Sequence, residues 1–176
     1  MRVIGLAGWS GAGKTTLLTR LIPELGLRGV SVSTLKHAHH AFDLDTPGKD
    51  SHAHRQAGAR EVLISSERRW ALMRELRGEP EAKLSELLGR LSPVDLVIIE
   101  GFKRGPHAKI EIYRVANGKP PLHPDDPSIV AVVSDCAFPE AGRPVVDRDD
   151  IAAVADIALV AAEPLAAVLA RRYGEG

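Results

Sequence analysis

The stretch Gly8-Trp-Ser-Gly-Ala-Gly-Lys14-Thr15 constrains this chain more than any other. It fits the pattern G-x-x-x-x-G-K-[ST]. The glycines of that pattern let backbone N–H groups surround a phosphate, its lysine reaches the β- and γ-phosphates, and its hydroxyl serves magnesium. The flanks are those the chemistry needs: Arg2–Ala7 reads as a buried strand, and residues 16–22 read as a helix with an apolar face. The phosphate-binding candidates are therefore Gly8, Ser10, Gly11, Ala12, Gly13, Lys14, Thr15 and Thr16, with Lys14 as the catalytic cation and Thr15 as a magnesium ligand. A triphosphate is implied; the base and the reaction are not.

Beyond this loop the pattern predicts an α/β fold. Pro23 should end or kink the first helix, and Val30–Leu35 alternates as a strand, so residues 2–35 form a β-α-β unit with parallel strands and a right-handed crossover. Residues 36–50 read as a long polar loop leaving the C-terminal end of that second strand, the edge where open α/β sheets bind ligands. Asp50 is read as the cap of a short helix through Ala59, followed by a hairpin from residues 61–66 and 69–74.

Residues 80–91 carry leucines at helical spacing, and Val94–Ile99 is a nearly continuous apolar strand of the kind buried on both faces. Lys109–Arg114 alternates strictly, as a strand with one wet face would, and residues 117–128 form a loop. Ile129–Val133 is another buried strand. A short strand at residues 144–146 leads to Asp147 as the cap of a helix, and a last helix runs from Glu163-Pro164 to Arg171-Arg172. Together these elements predict a three-layer P-loop NTPase sandwich, residues 1–176 as a single domain, with a mixed, mostly parallel sheet.

Composition narrows the function. Formal net charge is zero and the pI is about 7.1, which speaks against nucleic acid or an acidic membrane as partner. Residues 1–60 nevertheless hold eight Lys/Arg against four Asp/Glu, and five of the seven histidines, a bias suited to a phosphate ligand. The single Cys136 excludes an internal disulfide and a Cys-based zinc site. The chain starts with a strand that runs directly into the loop and has no long apolar run, so a cytoplasmic location is expected.

Two acids bracket the strand after Val94. At about 3.3 Å per residue, Asp95 and Glu100 stand about 16 Å apart. Only Glu100 falls at the C-terminal end beside the phosphate loop, which makes it the candidate Walker B acid, holding magnesium or orienting the attacking water. Asp135 follows another buried strand. A carboxylate there can accept from guanine N1 and N2; the alternative is an Asp that starts a turn. His37, His39, His40, His52 and His54 invite a transition metal, yet without a cysteine the cluster better suits a plain polar loop or an anion-contacting one, the latter reading strengthened by Lys36, Lys49 and Arg55 nearby.

Taken together, the motifs resemble the molybdopterin-guanine dinucleotide biosynthesis protein B family of P-loop GTPases. The resemblance rests on Gly8–Thr15, on Lys36-His37-x-His39-His40-x-Phe42-Asp43-x-Asp45-x-Pro47-Gly48-Lys49-Asp50-Ser51, on Arg55-x-Ala57-Gly58-Ala59, and on Glu100-Gly101-Phe102-Lys103 followed by Lys109-x-Glu111-x-x-Arg114. It implies a homodimeric GTP-binding accessory protein with weak GTPase activity, dependent on magnesium, acting with the molybdenum cofactor guanylyltransferase. Under it, Lys36, His37, His39, His40, Asp45, Lys49 and Asp50 would approach the nucleotide, or molybdopterin or its guanine dinucleotide. Ala41 stands where a polar residue is expected. The alternatives are a metallochaperone GTPase using the histidines and a small-molecule kinase; for the latter, no Arg-rich lid segment is evident.

Overall fold

The computed structural model describes residues 1–38, 42–102 and 105–171. The chain packs as two compact units. Met1–His37 with the chain from Leu84 onward form the first, and Ala38–Lys83 form the second.

The first unit is built on a sheet of β1 (Arg2–Ala7), β2 (Val32–Lys36), β5 (Leu96–Glu100), β6 (Lys109–Tyr113), β7 (Ile129–Ser134), β8 (Val145–Asp147) and the two-residue β9 (Glu163–Pro164). Their order is β2-β5-β1-β6-β7-β8, every neighbouring pair parallel; β9 pairs antiparallel with the start of β1, at Arg2 and Val3. The sheet is thus mixed and mostly parallel, with the C-terminal ends of β1, β2, β5, β6, β7 and β8 along one edge.

Strand side chains alternate between faces, and each face has its own helices. Ile4, Leu6, Leu96, Ile98, Ile110 and Ile112 pack with Leu17, Leu18, Leu21 and Leu25 of α1 (Lys14–Leu27) and with Val154, Ala155 and Ala158 of α4 (Ile151–Ala161). Val3, Val97 and Ile99 pack on the other face with Leu84 and Leu88 of α3 (Leu84–Leu88) and Val168 of α5 (Leu165–Ala170). The three layers follow directly.

Several boundaries differ from the sequence reading. Helix α1 continues through Pro23 to Leu27. Burying Leu17, Leu18, Leu21 and Leu25 at about 1.5–3 kcal/mol each outweighs the roughly 3 kcal/mol cost of an internal proline. Helix α4 is capped by Asp150, whose Oδ1 accepts from Ala153 N–H at 3.0 Å. Asp147 instead ends β8 and accepts from Asp149 N–H at 2.8 Å. Helix α3 is shorter than residues 80–91 suggested. After Leu88 the chain tapers in three-residue turns, Arg90 N–H to Leu87 C=O and Leu91 N–H to Leu88 C=O.

The largest departure is β6. Lys109 and Glu111 are 2% and 1% exposed, so the strand has no wet face. Lys109 Nζ bonds Asp126 Oδ2 at 3.1 Å and Ser128 Oγ at 2.5 Å. Glu111 accepts from the N–H groups of Leu122 and His123 at 2.6 and 2.9 Å and meets His123 Nδ1 at 2.9 Å. The loop before β7 thereby supplies partners for charges that could not otherwise be buried. That loop opens with a 3-10 turn, Val115–Asn117.

In the second unit, α2 (Asp50–Gln56) has Lys49 as its cap residue and ends before Ala59; Asp50 lies in the first turn, where its charge suits the helix dipole. Next come β3 (Glu61–Ser65) and β4 (Trp70–Arg74), the expected hairpin, paired antiparallel with Leu63 opposite Leu72. Arg55 organises this unit. It bonds Asp43 Oδ1 at 2.7 Å, Asp45 Oδ1 at 2.8 Å and Glu75 Oε1 at 3.2 Å. The Asp45 bond above all holds its guanidinium pKa above the ordinary value.

Candidate functional site

The phosphate loop joins β1 to α1 and depends on glycine. Gly8, Gly11 and Gly13 all have positive φ, and a methyl group on Gly8 would lie 2.6 Å from the carbonyl oxygen of Ile112. Ala12 N–H closes a turn on Trp9 C=O at 3.1 Å, and Gly13 is the N-cap of the 14-residue α1, with no capping hydrogen bond from a described side chain. The first N–H groups of that helix are consequently left to face an anion. Lys14 Nζ arches over the loop and donates to Gly8 C=O at 2.9 Å and Trp9 C=O at 3.1 Å. Ser10, Gly11, Thr15 and Thr16 are exposed at the same place, and Ala12 anchors the loop from beneath at 2% exposure. Trp9 Nε1–H donates to Pro120 C=O at 2.8 Å, which ties the loop to the segment after β6.

Glu100 ends β5, directly beside Leu6 of β1, so it stands at the sheet edge from which the phosphate loop departs. Its side chain is 15% exposed and its Oε2 lies 3.8 Å from Lys36 Nζ at the end of β2. His37 follows, its N–H donating to Glu100 C=O at 2.8 Å and its ring 4.7 Å from that of Phe102. Thr15 and Glu100 offer hard oxygen ligands, one hydroxyl and one carboxylate. Such a donor set fits magnesium, which keeps most of its coordination for water and phosphate.

Asp135 lies just past the end of β7, two strand spacings or about 10 Å from β1. Its Oδ1 accepts from Val115 N–H at 2.9 Å, while Oδ2 faces Arg114 Nε at 4.0 Å and Arg148 Nη1 at 3.9 Å. An open cleft of about 470 Å³ runs along this edge, lined by Ser134, Asp135, Cys136, Phe138, Val146 and Asp147 among others.

The remaining predicted residues divide by position. Lys36 and His37 join Glu100 at the sheet edge, whereas Asp45, Lys49 and Asp50 belong to the second unit, where Asp45 is 8% exposed and committed to Arg55. His39 and His40 lie outside the described residues. Among the described residues, no three His, Cys, Asp or Glu side chains are placed to share a metal ion. No described helix is long and apolar enough to cross a membrane.

Two side chains beside the loop escaped the sequence reading. Asn117 Oδ1 would stand 2.9 Å from a methyl group on Gly11, and Arg148 Nη2 would stand 3.4 Å from one on Gly13. Arg148 follows Asp147 at the end of β8. The signal for it in the sequence is its place at the C-terminal end of a parallel strand, the place that Glu100 and Asp135 also hold.

Known proteins resemble this chain in sequence and in fold. The family model described as molybdopterin guanine dinucleotide synthesis protein B matches residues 3–135. The molybdopterin-guanine dinucleotide biosynthesis adapter protein of Escherichia coli K12 is 41% identical over 157 residues, 88% of this chain and 89% of that protein. Its namesake from Haemophilus influenzae is 38% identical, over 88% of this chain and 85% of that one. A crystal structure of molybdopterin-guanine biosynthesis protein B superposes with a TM-score of 0.67 at 29% identity, covering 90% of this chain and 98% of the other. That of Bacillus subtilis MobB gives 0.69 at 22% identity, over 91% and 97%, a likeness of fold.

Proposed function

This chain belongs to the molybdopterin guanine dinucleotide synthesis protein B family, and from that premise we propose that it is a GTP-binding adapter protein with slow GTPase activity in the biosynthesis of molybdopterin guanine dinucleotide. The observation that carries the nucleotide reading is the built phosphate loop, three positive-φ glycines leading into the bare N-terminus of α1 with Lys14 arched above it. Lys14 and the N–H groups from Gly11 to Thr16 hold the phosphates. Thr15 and Glu100 are the residues that would hold magnesium, whose charge would offset that of the phosphates. Glu100 also orients water at the sheet edge, with Lys36 setting its position. The base extends along the edge toward the cleft after β7, where Asp135 Oδ2 reads guanine.

The relatives' shared name supplies the biological setting. The guanylyltransferase that joins GMP to molybdopterin is the proposed partner, and molybdopterin or its guanine dinucleotide the ligand of the polar segment from Lys36 to Asp50. We assign the protein to the cytoplasm and to a homodimer. The dimer reading is supported by the second unit, whose hairpin exposes Leu63, Trp70 and Leu72 on one face. A turnover assay tests the core of the reading: magnesium-dependent GTP hydrolysis by the parent, abolished by Lys14→Ala, supports it, and hydrolysis that survives Lys14→Ala removes it. Equal preference for GTP over ATP in the parent and in Asp135→Ala would remove the role of Asp135.

A further inference from the structure

The geometry points to Arg148 as a second cation of the phosphate site, a residue that binds the phosphate chain of the nucleotide beside Lys14; the inference rests on the nucleotide reading above. Arg148 sits in the run Asp147-Arg-Asp-Asp150, where three adjacent carboxylates would be its natural partners. Each is engaged elsewhere. Asp147 Oδ1 accepts from Asp149 N–H at 2.8 Å, Asp149 Oδ1 pairs with Arg20 Nη1 at 3.0 Å, and Asp150 Oδ1 caps α4.

The Arg148 side chain turns the other way, across the sheet edge. Its backbone is fixed there, because Arg148 N–H donates to Ser134 C=O at 3.0 Å at the end of β7. The side chain as a whole is 19% exposed and ends with Nη2 only 3.4 Å from where a side chain on Gly13 would begin. Gly13 caps α1, so the guanidinium shares the mouth of the helix with the N–H groups that face an anion.

Among the described residues its one carboxylate contact leaves the charge poorly balanced. Asp135 Oδ2 stands 3.9 Å from Arg148, beyond a good hydrogen bond, and is shared with Arg114 at 4.0 Å. Asp135 also spends Oδ1 on Val115 N–H. Two guanidiniums thus face one carboxylate, a surplus of positive charge placed one side chain from the phosphate loop. A planar guanidinium binds phosphate through paired, charge-assisted hydrogen bonds that surpass a contact at 3.9 Å. Nucleotide binding therefore draws Arg148 from Asp135 to the phosphates and opens Asp135 Oδ2 to the base, with Arg114 still at 4.0 Å beside it.

Calorimetry on the full chain with magnesium and either GTP or inorganic tripolyphosphate tests this, using the parent, Arg148→Gln and Arg148→Lys, each first checked for an unchanged thermal transition. The expected result is that Arg148→Gln weakens both ligands on the order of tenfold, that Arg148→Lys retains part of the affinity for both, and that the GTP-to-ATP ratio stays at the parent value. Tripolyphosphate binding as tight in Arg148→Gln as in the parent overturns the assignment while leaving the nucleotide reading intact. A parent protein that binds neither ligand overturns both.

Discussion

Lowering the pH from about 7 to about 5 should cost this protein about 2 kcal/mol of folding stability through one side chain, His107. The imidazole is fully buried. Its ring is pressed between Gly5 and Gly105, since a methyl group on either would come within 2.5 and 2.7 Å of a ring nitrogen. Burial above all, and then the Lys109 ammonium, lower its pKa from the ordinary 6.5 to about 4. The sign follows from which state takes the proton first. The unfolded chain protonates His107 near pH 6.5 and the folded chain only near 4, so the stabilisation is complete above 6.5 and is lost as pH falls through that window. With those two values the loss between pH 7 and pH 5 comes to about 2 kcal/mol. Glu163, held low chiefly by its bond to Arg171, and Asp126, held low against burial by Ser128 and Lys109, lose their contributions only below the ordinary carboxylate range. Those carboxylate contributions lie below the window from pH 5 to 7, and the difference there between the parent and a variant lacking the imidazole reads His107. Urea unfolding of the parent and of His107→Asn at both pH values measures it: the variant is less stable throughout but loses about 2 kcal/mol less on acidification. Equal pH dependence in the two proteins would refute the reasoning.

Further consequences follow from the buried charges and the exposed hairpin. Glu111→Gln replaces one carboxylate oxygen by an amide N–H₂, which then opposes the N–H of either Leu122 or His123, and should cost about 2–4 kcal/mol in urea unfolding; a loss under about 0.5 kcal/mol would contradict the burial account of β6. Leu63→Lys, on the exposed face opposite Leu72, should leave the thermal transition nearly unchanged and shift the proposed dimer to monomer in sedimentation at micromolar concentration. An unchanged sedimentation coefficient would exclude this face from the dimer.

The parts of the fold that were legible in the sequence are those whose physics is local. β1, β5 and β7 are continuous apolar runs, which only burial on both faces explains, and the phosphate loop carries its own geometry in its glycines. β6 was misjudged because Lys-Ile-Glu-Ile-Tyr alternates as an amphipathic strand does. Its charges are buried only because Asp126, Ser128 and the N–H groups at residues 122 and 123 arrive from a later loop. Local cost alone allows Pro23 either to kink or to end the helix; the helix continues because the leucines on both sides of it decide the outcome through the sheet. The same division holds at the site. Glu100 was found by its place at a strand end, while Arg148 was hidden among acids that look like its partners and are not.

The central claim is that Gly8–Thr15 holds a nucleotide through Lys14, and equilibrium titration calorimetry with magnesium and GTP on the parent and on Lys14→Ala tests it most directly. Saturable binding by the parent, weakened roughly 10- to 100-fold in Lys14→Ala, is the predicted result, the size expected for charged hydrogen bonds to phosphate. A parent that does not bind, or a Lys14→Ala protein that binds as tightly as the parent, would contradict the account.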